Sequence, residues 1–213
     1  MLPGMRIFVI GATGRTGQQV VEAARAAGHL VTALVRQPDA VEPVEGVTWV
    51  AGDVRDEDVF DRVLPGHDVV ICTLGHVPDS PPDLCSTATG RLVAAMARHG
   101  VPRLVVVSGA MIGHPRDKLP WSYRLIESIL PRRDKIRIAD RREQERVIRE
   151  SGCTWTIVRA PWLKDGTPLG KVTVGEALPL GAFASVRRSD LARWMVQVGT
   201  DPGATSGAVA ITN

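Results

Sequence analysis

Apolar residues recur along the chain in two alternating rhythms. Short, nearly continuous runs at Ile7–Ile10, Leu30–Val35, Val47–Ala51, Val69–Leu74, Leu104–Ser108 and Thr154–Arg159 predict buried strands. Between them stand longer stretches with helical spacing. They predict helices over Gln18–Ala27 with a Gly28 stop, about Asp56–Val63, Leu84–Arg98 ending at Gly100, and Asp134–Ser151. The rest carries a short strand at Lys171–Val174, a helix capped by Ser189 running to about Val198, and a closing strand near Ala208–Ile211. Strand and helix alternating in this way predict an α/β protein built on a doubly wound parallel sheet. The expected organisation is a single domain over residues 1–213, with residues 160–213 contributing a small substrate-side lobe. One stretch breaks the rhythm. Gly109 to Arg133 is rich in Gly and Pro, with a short helical pattern only at Ser122–Ile129, and a long excursion of this kind is usually functional.

The first strand runs straight into Gly11-Ala12-Thr13-Gly14-Arg15-Thr16-Gly17, and a helix follows. Unpaired backbone amides at a helix N-terminus carry about half a positive charge, so a phosphate can sit there if no side chain blocks it. Glycine leaves that room. With the second strand the segment completes a Rossmann-like βαβ unit for a dinucleotide. An acidic residue after that second strand would bind a ribose 2′-hydroxyl, but the sequence has Arg36, which suits a 2′-phosphate. NADP(H) is therefore the expected cofactor, with Arg15 adding charge beside the phosphates. Ligands of such sheets lie beyond the carboxyl ends of the strands. Those ends supply Asp53 and Val54 for adenine, Leu74 and Gly75, Ser108, and Trp162. Asp53 has a second reading as a helix-capping residue before Val54-Arg55.

Composition narrows the picture only modestly. The net charge is +3, and basic residues concentrate between Arg132 and Arg149, where Asp134, Asp140, Glu143 and Glu145 compensate them. The run Asp140–Arg146 reads as a solvated helix face with paired charges. Nucleic-acid binding would want an uncompensated stripe with aromatic residues among the charges, so none is expected. No signal-peptide pattern or run of 18 apolar residues stands out, and a cytoplasmic protein without a membrane partner is expected. Cys72, Cys85 and Cys153 form no Cys-x-x-Cys pair, and no metal site is expected from them.

Gly-x-x-Gly-x-x-Gly, Leu-Val-Arg after the second strand, Gly-Asp-Val, Val-Ser after the fifth strand, Arg-Glu-Ser-Gly and Arg-Ser-Asp-Leu-Ala together resemble the atypical short-chain dehydrogenase/reductases. Within that group the chain is most similar to the biliverdin-IXβ reductase/flavin reductase type and to NAD(P)H-binding, NmrA-like proteins. The resemblance implies pyrophosphate contacts at Gly11, Thr13, Gly14, Arg15 and Thr16, with Gly17 completing the turn, and a 2′-phosphate contact at Arg36. It also implies adenine contacts at Asp53 and Val54, and a nicotinamide side bounded by Leu74, Gly75, Ser108 and Trp162. The Tyr-x-x-x-Lys pair of typical members is replaced by Arg137 and Arg141, and the histidine of the biliverdin reductase type by Trp162. Arginine stays protonated and cannot serve as the proton donor.

What remains is hydride transfer to an acceptor that needs no dedicated protein acid, such as a flavin or quinone. Ser108 is the expected catalytic hydroxyl, donating a hydrogen bond to the acceptor or carboxamide. Met111, Trp121 and Trp162 are expected to give a planar acceptor an apolar platform. His76 and His114 stand in nearby loops as possible proton relays. The alternative is a redox-sensing regulatory module that binds NADP without turnover.

Overall fold

A computed structural model describes residues 4–112, 127–181 and 183–213. The chain folds as an α/β protein with a mostly parallel central sheet and a Rossmann-like course. Its first half follows β1 (Arg6–Ile10), α1 (Arg15–Ala26), β2 (Leu30–Val35), β3 (Val47–Ala51), α2 (Val59–Val63) and β4 (Val69–Cys72). The second half follows α3 (Leu84–His99), β5 (Arg103–Gly109), α4 (Arg132–Arg149), β6 (Thr154–Ala160), β7 (Trp162–Lys164), β8 (Thr173–Gly175), β9 (Ser185–Arg187), α5 (Arg188–Thr200) and β10 (Gly207–Thr212). The eight-stranded sheet has the order β3-β2-β1-β4-β5-β6-β10-β8, and only β8 runs antiparallel to its neighbour. β7 and β9 pair separately as a two-stranded parallel sheet.

Side-chain alternation along the strands divides the core in two. Ile7 and Val9 of β1 pack with α1 and α5 through Val20, Ala24, Leu191 and Met195. Phe8 and Ile10, pointing the other way, pack with Phe60, Leu92, Met96 and Ile148 of α2, α3 and α4. Helices thus cover both faces, which is why β1 and β4 are apolar at consecutive positions. Between these two strands the order of the sheet reverses, and Ile10 lies in register with Cys72. The two outgoing connections part there, leaving a crevice at the carboxyl ends.

Several boundaries differ from the sequence pattern. α1 begins at Arg15 rather than Gln18, because Gly14 already sits at its N-cap and Gly14 O accepts from the Gln18 amide at 2.9 Å. α2 is shorter than expected, its first residues being held in a turn by Asp53. The cap of α5 is Arg187, and Ser189 Oγ is buried without a hydrogen-bond partner among the described residues. Strands β7 and β9, three residues each, carry too little periodicity to be seen in the sequence. α4 is the largest correction. Arg142 and Arg146 do form outward ion pairs with Glu127, Glu143 and Glu150, but Asp140, Gln144 and Glu145 of the same run point inward and are buried.

Candidate cofactor cleft

The crevice is a cleft of about 890 Å³ bordered by the glycine turn, the ends of β2 and β3, and the residues after β4. The turn is shaped by backbone contacts that admit only glycine. A Cβ on Gly17 would lie 2.0 Å from the Gly11 carbonyl oxygen and 2.8 Å from Ala12 Cα. Gly11 has φ of +78°, and a Cβ there would come within 2.9 Å of Thr73. Thr73 itself reaches back from the end of β4, its hydroxyl 3.0 Å from Ile10 O and 3.2 Å from Gly11 O. The start of α1 is thereby held close to the strand end, with its first amides unhindered, as a diphosphate requires.

Cationic side chains border this space. Arg15, Arg36, Arg55 and Arg188 all line the cleft. Arg15 pairs with Asp165, which also takes Arg188 Nη1 at 2.7 Å, so one carboxylate ties the glycine turn to the start of α5. Arg36 is exposed at the end of β2. Asp53 lines the wall, but its carboxylate is committed. Oδ1 accepts from Arg55 N at 2.9 Å and Nε at 3.0 Å, and Oδ2 from Nη2 at 2.7 Å. Asp53 thus closes a turn onto Arg55 instead of capping a helix, because the following helix α2 begins only at Val59 with Asp58 at its N-cap. Arg55 keeps the Asp53 carboxyl below its ordinary range, mainly through that side-chain hydrogen bond. Leu74, Gly75 and Val54 also line the cleft, as do Thr13, Gly14 and Thr16.

Other expected residues are placed elsewhere. Ser108 is 4 % exposed and is not among the described residues lining the cleft. Its hydroxyl donates to Glu145 Oε1 at 2.7 Å, and Glu145 in turn is held by Arg159 Nη2 at 2.7 Å and Nε at 3.2 Å. With its proton directed at a carboxylate, Ser108 Oγ is left as an acceptor, the reverse of the expected donor role. Trp162 opens β7 at 68 % exposure and, with Met111, is also absent from the described lining. Trp121, His114 and Tyr123 lie outside the described residues.

Arg141 takes a position that the sequence does not reveal. Its guanidinium donates to Leu74 O at 2.5 Å, Val107 O at 3.3 Å and Gln144 Oε1 at 2.6 Å. It clamps the ends of β4 and β5 beneath Gly75, where an added Cβ would stand 3.5 Å from Nη2. His76, in the cleft wall, has Nε2 3.0 Å from Asp140 Oδ2 and Nδ1 3.8 Å from Cys85 Sγ. Burial pushes His76 below its ordinary value against the pull of Asp140, and pushes the Cys85 thiol up to about 12. Sequence reasoning missed Thr73, Asp165, Arg188, Cys85 and Asp140, which reach the site from elements distant in sequence. Thr73, next to the last apolar residue of the fourth run, was the one with a local signal.

The fold and this cleft define a dinucleotide-binding α/β protein. The NAD(P)H-binding family profile matches residues 11–202, and the chain belongs to that family. It is 33 % identical over 154 residues to a (4-alkanoyl-5-oxo-2,5-dihydrofuran-3-yl)methyl phosphate reductase of Streptomyces griseus, covering 72 % of this chain and 46 % of that relative. The matched segment spans 27 %, 63 % and 26 % of the length of three curated plant relatives, two of them reductases or reductase homologues by name. An NADP complex of a short-chain dehydrogenase/reductase from Veillonella parvula shares the fold at 19 % identity and a TM-score of 0.78, covering 98 % of this chain and 94 % of that one. A Streptococcus pneumoniae protein described provisionally as an NADH-flavin reductase does so at 21 % identity and 0.81, covering 99 % and 100 %. No helix among the described residues is long and apolar enough to cross a membrane.

Proposed function

We propose that the protein is an NADPH-dependent reductase that passes hydride to a planar acceptor such as a flavin or quinone. The observation that carries this reading is the cleft itself, in which a glycine cradle a Cβ would fill stands beside an exposed Arg36 with the nearby carboxylate of Asp53 already engaged by Arg55. The residues fit a dinucleotide. The amides of Thr13, Arg15 and Thr16 would hold the diphosphate, Arg36 a 2′-phosphate, and Val54 the adenine edge. Bound there, the nicotinamide supplies the hydride. The chain's own residues orient it. Arg141 fixes the carbonyl of Leu74 and thereby the wall of the cleft at Gly75. By the resemblance to the short-chain dehydrogenases, Arg137 and Arg141 would replace the tyrosine and lysine, which favours an acceptor whose developing charge delocalises and whose proton comes from water.

NADPH is expected to bind at least tenfold more tightly than NADH, because charge-assisted hydrogen bonds to a 2′-phosphate contribute about 1.5–3 kcal/mol. Arg36→Asp should reverse that order in a fluorescence titration, and equal affinities in the unaltered protein would remove Arg36 from the site. Stopped-flow oxidation of NADPH with FMN and with a quinone, run beside that titration, tests the reaction. Tight cofactor binding with oxidation no faster than buffer would favour the sensing module instead. Ser108→Ala is expected to lower flavin turnover by less than about a hundredfold with NADPH affinity nearly unchanged, since its hydroxyl is buried against Glu145 and stands off the described cleft lining. Complete loss of turnover in a folded variant would show that Ser108 supplies a proton.

A further inference from the structure

Three elements far apart in sequence bring an imidazole, a thiol and a carboxylate together on one side of the cleft. His76 comes from the segment after β4, Cys85 from the first turn of α3, and Asp140 from the middle of α4. One ligand atom from each lies within 4.8 Å of the other two. The cluster is shielded, with the side chains of His76 and Asp140 at 6 % and 1 % exposure and Cys85 fully buried. His76 Nε2 approaches Asp140 Oδ2 to 3.0 Å, yet it is off the hydrogen-bond line and has no hydrogen-bond partner among the described residues. A buried ring nitrogen left in that state is directed at something that the protein groups alone do not provide.

We propose that His76, Cys85 and Asp140 form a three-ligand site for a zinc-class divalent cation in the wall of the cleft. Thiolate, imidazole and carboxylate together are a ligand set suited to zinc. For Zn–N and Zn–O bonds of about 2.0–2.1 Å, the 3.0 Å separation of His76 Nε2 and Asp140 Oδ2 corresponds to an angle at the metal of about 95°. The carboxylate is already oriented. Its Oδ1 accepts from the Ser86 amide and its Oδ2 from the Cys85 amide, each at 2.9 Å, which leaves further lone pairs on both oxygens. Binding forms the Cys85 Sγ–metal bond and releases the thiol proton to solvent. The resulting two negative charges balance a divalent cation. The neighbouring Arg141 guanidinium repels it in part, but that group is held by the neutral oxygens of Leu74, Val107 and Gln144. His76 also lines the cleft beside Leu74 and Gly75, so the site lies in the cleft wall. This site stands whether or not the protein reduces a flavin.

Metal-free full-length protein titrated with Co²⁺ should take up one equivalent and develop a thiolate-to-cobalt charge-transfer band that Zn²⁺ abolishes. Cys85→Ser should remove the band and weaken Zn²⁺ binding at least a hundredfold, His76→Gln should weaken it at least tenfold, and Cys153→Ser should change neither. Since a buried substitution can disturb folding, X-ray absorption on the unaltered zinc-loaded protein supplies a second measurement. It should show one sulfur near 2.3 Å and the remaining ligands near about 2.0–2.1 Å. Absence of a sulfur neighbour, or an unchanged band in folded Cys85→Ser, would overturn the assignment.

Discussion

Gly17→Val is expected to abolish measurable binding of a nicotinamide dinucleotide, with affinity falling by about a hundredfold or more. The added Cβ would meet the Gly11 carbonyl oxygen at 2.0 Å and its carbon at 2.7 Å, both backbone atoms of the turn that forms the cradle. No side-chain rotation relieves that clash. Either α1 moves away from β1 or the turn opens, and both displace the amides that would hold the diphosphate. Two charge-assisted hydrogen bonds lost at about 1.5–3 kcal/mol each already exceed the 2.7 kcal/mol of a roughly hundredfold change. Gly90 of α3 is the control, because a Cβ there meets nothing within 4 Å. Gly90→Ala should leave binding intact and stabilise the helix by about 0.5–1 kcal/mol. Isothermal titration and thermal melts of the two variants separate the readings, and a Gly17→Val protein that still binds normally would show that the diphosphate lies elsewhere.

Glu145→Ala is expected to be the most destabilising single change in the polar interior. Glu145 accepts from Ser108 and from two nitrogens of Arg159, and all three residues are buried. Truncation leaves the Arg159 guanidinium in the interior without this carboxylate, a loss of about 3–5 kcal/mol. For a domain of this size that lowers the melting temperature by roughly 6–20 °C. Ser108→Ala, by contrast, leaves the Glu145–Arg159 pair in place and should cost about 1 kcal/mol. If both variants melted alike, the Arg159 charge would have to be satisfied by other groups.

The same network marks the border of what the linear pattern reveals. Asp140–Arg146 reads as an exposed ladder because its charges alternate at helical spacing, and half of that reading holds, in Arg142, Glu143 and Arg146. The other half fails because periodicity registers apolar faces, and α4 turns a polar face inward. Asp140 satisfies the first amides of α3, Gln144 donates to Thr89 at 2.8 Å, and Glu145 meets Arg159. Such a face has no hydrophobic signature, only partners that the fold brings to it.

By itself the sequence determined the alternation of strands and helices, the parallel sheet and the glycine turn. Each of these depends on neighbours within a few residues: burial of both sheet faces demands continuous apolar runs, and close approach of backbone to backbone demands glycine. It also placed Arg36 and Val54 on the cleft, since strand ends follow from strand positions. Tertiary structure decided what each polar group does there. It turned the Ser108 proton toward Glu145, engaged Asp53 with Arg55, joined Arg15 to Asp165, and set His76, Cys85 and Asp140 around one point. Those pairings span up to 150 residues of chain between Arg15 and Asp165. A charged or hydrogen-bonding side chain can choose among many such partners, and only the packed helices and strands fix which one lies within 3 Å or so.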